Sequence, residues 1–131
     1  MSMFAHISIG VTDLKKSKDF YDSIMGALGY GQCAGAIEES YIGYGYKDSW
    51  FIINVPLDED KPVVASNGTH FCFQARGKRE VDLFYKVAIE NGARDAGAPG
   101  IRSHYADDYY AAYVLDPDGH KIEAVAYVSP N

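Results

Sequence analysis

His6, His70 and Glu123 are the residues whose types and placement in this 131-residue sequence point most directly to chemistry. Sliding the sequence along itself, without gaps, by the 64 places between the two histidines also lays Lys15 on Arg79, Phe20 on Phe84, Tyr21 on Tyr85 and Ile9 on Phe73. A single histidine in a strand usually satisfies its ring with local hydrogen bonds. Two at matched places in a repeat are different. With Glu123, which interrupts the apolar run Ile122, Ala124, Val125, Ala126, they are the donors of a two-histidine, one-carboxylate metal site that leaves positions open for a substrate. A carboxylate buried alone is costly or becomes protonated, and a divalent cation holds it ionised.

The elements that must position these groups follow from the same repeat. HISIGV alternates as a strand, with His6, Ser8 and Gly10 on one side and Ile7, Ile9 and Val11 on the other. Thr12 or Asp13 caps a helix whose buried face holds Leu14, Phe20, Tyr21, Ile24, Met25 and Leu28, and Gly26 and Gly29 end it. Segments near 30–37, 40–46 and 50–55 read as strands. The second half repeats the plan with the strand THFCFQA and a helix burying Val81, Phe84, Tyr85 and Ala88, closed by Asn91-Gly92. A loop AGAPGIRSHY comes next, and strands near 109–115 and 121–128 flank the turn Asp116-Pro117-Asp118-Gly119. The expectation is an α+β fold over residues 1–131. It consists of two tandem β-α-β-β-β modules, about 1–57 and 68–131, joined by a linker about 58–67, forming a curved mixed sheet around a cavity.

Composition narrows the function. Hydrophobic residues make up 47% and charged residues 23%, which is globular composition. A net charge of −6 with no run of Lys and Arg speaks against nucleic acid as a partner. No apolar run reaches the ~18 residues of a spanning helix, and MSMFAHISIGV lacks a signal-peptide pattern, so no membrane role is expected and the cytoplasm is the expected location. Cys33 and Cys72 then remain thiols. Cys72, two residues after His70, points to the same face as that ring, although a small core residue is the plainer reading. Many of the 11 tyrosines crowd into 41–46 and 105–113, as suits a half-buried sheet or a cavity wall. Trp50, Tyr105, Tyr109, Tyr110 and Tyr113 are the candidate wall, with Arg102 or His104 to meet substrate charge; strand alternation puts only one of Tyr109 and Tyr110 near a ligand.

The duplicated plan, HISIGV with its Asp13-Leu14 helix start, the strand THFCF and DPDGHKIEAV resemble the vicinal oxygen chelate superfamily, which includes glyoxalase I, fosfomycin-resistance proteins, extradiol dioxygenases and bleomycin-resistance proteins. The resemblance implies that His6, His70 and Glu123 ligate a divalent ion (Zn, Ni, Mn or Fe), that a small substrate binds it through neighbouring oxygens, and that the protein is a homodimer. Glyoxalase I has a further ligand Glu, also the proton-transfer base, late in the strand that is SWFIINV here. The matching place is Ile53 or Asn54, and neither removes a proton as a carboxylate does. Asn54 remains a candidate to bind weakly through oxygen or to hold a water, and a neighbouring Tyr or His104 to move the proton. His104, Tyr113, Asp116, Pro117, Gly119 and Glu123 also follow the extradiol dioxygenase signature, from which Arg102 and Ala112 depart. The leading expectation is a glyoxalase-like lyase or isomerase working by Lewis-acid stabilisation of an enediolate or oxyanion, with Glu123, His104 and Tyr113 catalytic. The alternatives are a ring-cleaving dioxygenase and a metal-free binding protein of the bleomycin-resistance kind.

Overall fold

The computed structural model describes residues 3–46 and 49–129. The chain forms two compact units, Met1–Val64 and Ala65–Asn131, each with one strand, one helix and three further strands. The first contains β1 (His6–Gly10), α1 (Leu14–Leu28), β2 (Gln32–Ala36), β3 (Tyr41–Tyr46) and β4 (Ser49–Asn54) in the sheet order β1-β4-β3-β2. The second contains β5 (His70–Gln74), α2 (Lys78–Glu90), β6 (Arg94–Ile101), β7 (Tyr109–Leu115) and β8 (Lys121–Tyr127) in the order β5-β8-β7-β6. In each unit the first strand pairs parallel with the last and the remaining pairs are antiparallel, so the fold is α+β with two four-stranded mixed sheets. No helix among the described residues is long and apolar enough to cross a membrane.

Local chemistry starts and stops α1. Asp13 is the cap and accepts a hydrogen bond from Lys16 N–H at 3.1 Å, which satisfies one of the helix's unpaired donors. Gly29 ends it at φ 83, a left-handed conformation that a Cβ disfavours. Gly26, expected as part of the stop, lies inside the helix, which continues through Ala27 to its end at Leu28. The helix buries Phe20, Tyr21, Ile24, Met25 and Leu28, and the Tyr21 ring meets Phe20 at 5.1 Å and Phe51 at 5.4 Å. Each such side chain contributes roughly 1.5–3 kcal/mol on burial. In the second unit α2 packs on β7 and β8 with Val81, Phe84 and Ala88 fully buried; Tyr85, expected with them, is half-buried.

The largest departure from the sequence pattern is β6. Residues 96–105 carry two glycines and a proline and were expected to be a loop, yet Arg94–Ile101 pairs antiparallel with β7. The strand lies at the edge of its sheet, where a proline without an N–H is tolerated. Its register shifts between Asp95 and Gly97 and again between Gly97 and Gly100. Bulges of this kind favour glycine. Gly97 sits at φ 153, where an added Cβ would lie 2.9 Å from the Tyr113 ring.

Candidate active site

Register brings the second unit's polar side chains together. Cys72 stands opposite Glu123 in the β5–β8 pair, and Tyr113 stands opposite Glu123 in the β7–β8 pair. Because side chains alternate, His70, Cys72, Tyr109 and Tyr113 share the Glu123 face, while Ile122, Ala124 and Ala126 face the other way. Glu123 is only 2% exposed. His70 Nε2 lies 3.0 Å from its Oε1, and the Tyr109 hydroxyl donates to its Oε2 at 2.5 Å. Cys72 Sγ lies 3.9 Å from the same hydroxyl. Loss of water raises the Cys72 thiol to about 12, and the charge of Glu123 adds to the effect. The phenols of Tyr109 and Tyr113 are pushed above the ordinary tyrosine value by desolvation first and then by Glu123, so both keep their protons at neutral pH.

An aromatic row leads away from this carboxylate. Tyr109 meets Tyr105 at 5.1 Å and Tyr127 at 5.5 Å, and Tyr105 meets His104 at 4.2 Å between ring centres. His104 and Tyr105 are exposed, on the segment between β6 and β7. Tyr113 lies beside His70, its ring flanked by Arg102 at 5.3 Å and Lys121 at 5.1 Å. Arg102 is half-buried, and its two terminal nitrogens donate to Gly100 O and Ala98 O, which ties it to the bulged edge strand. Tyr110 is on the other face: it is buried, its hydroxyl donates to Asp82 of α2, and burial followed by that carboxylate raises it to about 12. Lys121 and Tyr127 were not singled out from the sequence. Counting two residues back and four forward from Glu123 along an alternating strand finds both.

The first unit presents a plainer surface. His6 is exposed and pairs in register with Trp50, as Ser8 does with Ile52 and Gly10 with Asn54. The pair equivalent to Cys72 and Glu123 is therefore Ser8 and Ile52. Ile53 is fully buried, and the register counterpart of Glu123 in this unit is Ile52, with Asn54 one step further on the same side. Asn54 Nδ2 donates to Val55 O at 2.8 Å, and its buried Oδ1 has no hydrogen-bond partner among the described residues.

A second candidate cation site lies in the turn before β8. Asp116, Asp118 and His120 each offer one ligand atom within 4.8 Å of the others. Asp116 Oδ1, however, accepts from the backbone N–H groups of Asp118 and His120, both at 2.9 Å, and Gly119 turns the chain at φ 90. The turn itself uses this carboxylate.

Residues 3–124 match the family described as the Glyoxalase/Bleomycin resistance protein/Dioxygenase superfamily. The chain is similar to a glyoxalase/bleomycin resistance protein from Albidiferax ferrireducens T118, with 37% identity and a TM-score of 0.83 over 95% of this chain and 98% of that one. By sequence it is 29% identical over 126 residues to the metallothiol transferase FosB of Lysinibacillus sphaericus (strain C3-41), covering 90% of this chain and 77% of FosB. A likeness of fold, at 20% identity and a TM-score of 0.67, joins it over 98% of its length and 92% of the other chain to a variant of the fosfomycin resistance protein FosX from Listeria monocytogenes. That variant was solved with Mn(II) and 1S,2S-dihydroxypropylphosphonic acid.

Proposed function

For this chain, which belongs to the glyoxalase/bleomycin resistance protein/dioxygenase superfamily, we propose a metal-dependent lyase or isomerase acting on a small oxygen-chelating substrate at the Glu123 face. His70 and Glu123 are the ligands contributed by the second module, and His6 is the imidazole supplied by the first module of this chain or of a second copy. The observation that carries the reading is the state of Glu123. It is buried to 2% exposure, and among the described residues its only ion-pair partner is His70, which is charged only if protonated. A buried carboxylate without a permanent cation is a poor way to build a core, and a divalent ion supplies the missing charge. Divalent ions of the first transition row suit imidazole and carboxylate together. The name of FosB, a metallothiol transferase, is consistent with metal chemistry on this scaffold.

A divalent ion held there supplies Lewis-acid polarisation of a substrate oxygen. The chain's own residues do the rest. Tyr109 and Tyr113 both hold their protons; that of Tyr109 is committed to Glu123 Oε2, and Tyr113 is the donor to developing negative charge. Neither is a base at neutral pH. His104, exposed at the end of the aromatic row, takes that role, since an imidazole ring nitrogen can accept a proton from a positioned substrate. The exposed Tyr105 and half-buried Trp50 offer rings for substrate contact, while Arg102 and Asn54 offer a charge and a free oxygen.

Metal titration of protein purified without a histidine tag tests the reading. The parent is expected to bind a divalent ion, Glu123→Gln to lose most of the affinity and His6→Ala part of it. Parent-like binding by both variants overturns the proposal. Oxygen uptake with ring cleavage by the iron-loaded parent would replace the lyase or isomerase reading with dioxygenase chemistry, and small-molecule binding without any metal would replace it with a sequestering role.

A further inference from the structure

Tyr109 is held in place by several contacts other than its bond to Glu123. Its backbone N–H donates to Ala106 O at 3.3 Å and its carbonyl accepts from Arg102 N–H at 2.8 Å. Its ring is held between Tyr105 and Tyr127 and packs on the cluster of Ala111, Tyr113 and Val125. The hydroxyl is thereby delivered to one oxygen of the carboxylate, Oε2, while the other, Oε1, lies 3.0 Å from His70 Nε2. Tyr113, opposite Glu123 in register, also feels that carboxylate, with its ring flanked by Arg102 and Lys121.

We propose that Tyr109 is a positioning residue that occupies Glu123 Oε2 and so presents Oε1, beside His70, as the single carboxylate donor to a cation. The inference rests on the reading of His70 and Glu123 as ligands. Its physical basis is that a ligand carboxylate held by a hydrogen bond from behind has lost the freedom to swing or to chelate through both oxygens. An outer partner of this kind is worth about 10–100-fold in metal affinity.

Co(II) is the probe, because its visible bands report coordination as well as binding. Tyr109→Phe keeps the ring and removes only the O–H. It is expected to weaken Co(II) binding about 10–100-fold and to change the shape and intensity of the visible bands as Oε2 becomes free to coordinate. Tyr127→Phe, which retains the ring against Tyr109, is expected to keep the parent affinity and bands. A ring-fluorinated tyrosine at position 109 preserves the fold and makes the O–H a stronger donor, and should shift the bands opposite to Tyr109→Phe. Parent affinity and spectrum in Tyr109→Phe, or unchanged bands with the fluorinated residue, overturn the proposal. Glu123→Gln separates the two levels: if it binds Co(II) like the parent, the ligand reading fails, whereas loss in Glu123→Gln with no change in Tyr109→Phe sinks only the role of Tyr109.

Discussion

The two modules share a strand order and a register, yet they differ where chemistry would occur. Each pairs its first strand with its last so that a histidine and the next residue on its face lie beside two positions of the closing strand. In the second module that arrangement puts a buried carboxylate, a thiol and an imidazole around one point; in the first it puts Ile52 beside Ser8. Behind the sheets the resemblance is closer. Tyr44 of β3 donates to Asp22 of α1 at 2.7 Å, as Tyr110 of β7 does to Asp82 of α2. By register Tyr44 corresponds to Val114 rather than to Tyr110, so the Tyr–Asp fastening of sheet to helix recurs in kind and not in position.

The sharpest way to break this contrast is to alter the matched position in each module. Glu123→Gln is expected to lower metal affinity by more than the roughly 10–100-fold that loss of an outer partner costs, while Ile52→Ala leaves it unchanged; calorimetric titration compares them. Equal losses would mean that the modules are not specialised. The fastening comes next in size. Tyr44→Phe and Tyr110→Phe each remove a hydrogen bond to a carboxylate and should cost about 1.5–3 kcal/mol, read from chemical denaturation. A silent variant in one module would end the parallel.

Alkaline pH gives a smaller, signed effect. Tyr110 is raised from 10.0 to about 12, first by burial and then by Asp82. A group whose folded value exceeds its unfolded value contributes stability that is fully present below pH 10 and is lost as pH climbs through the folded value. The thermal midpoint should therefore fall between pH 10 and 12, and less steeply in Tyr110→Phe. The smallest expected effect is a null: Asp118→Ala should leave metal affinity at the parent value, because Asp116 already uses its carboxylate to build the turn. A marked loss in the same titration would move the cation from Glu123 to the turn.

Much of the scaffold was legible. The periodic apolar residues of α1 and its Asp13 cap, the alternation of HISIGV and the Asp116–Gly119 turn are local signals, and the structure places each where its chemistry requires. Strand β6 was not legible, since AGAPGI carries loop composition and becomes a strand only because β7 offers it hydrogen bonds and glycine bulges absorb the mismatch. The burial of Glu123 was foreshadowed by its apolar neighbours, but its fastening to Tyr109 was not. These residues are 14 apart in sequence, and nothing in that spacing distinguishes Tyr109 from Tyr110.

By itself the sequence determined the duplicated order of elements, the faces of its helices and the identity of the groups able to bind a metal, because periodicity and residue type are properties of short stretches of chain. Only the tertiary structure decided which tyrosine meets the carboxylate, that Ile52 rather than Ile53 or Asn54 stands in register where the first module has no counterpart to Glu123, and that Tyr110 turns toward α2. Those outcomes depend on strand register, and a shift of one residue sends every side chain to the opposite face.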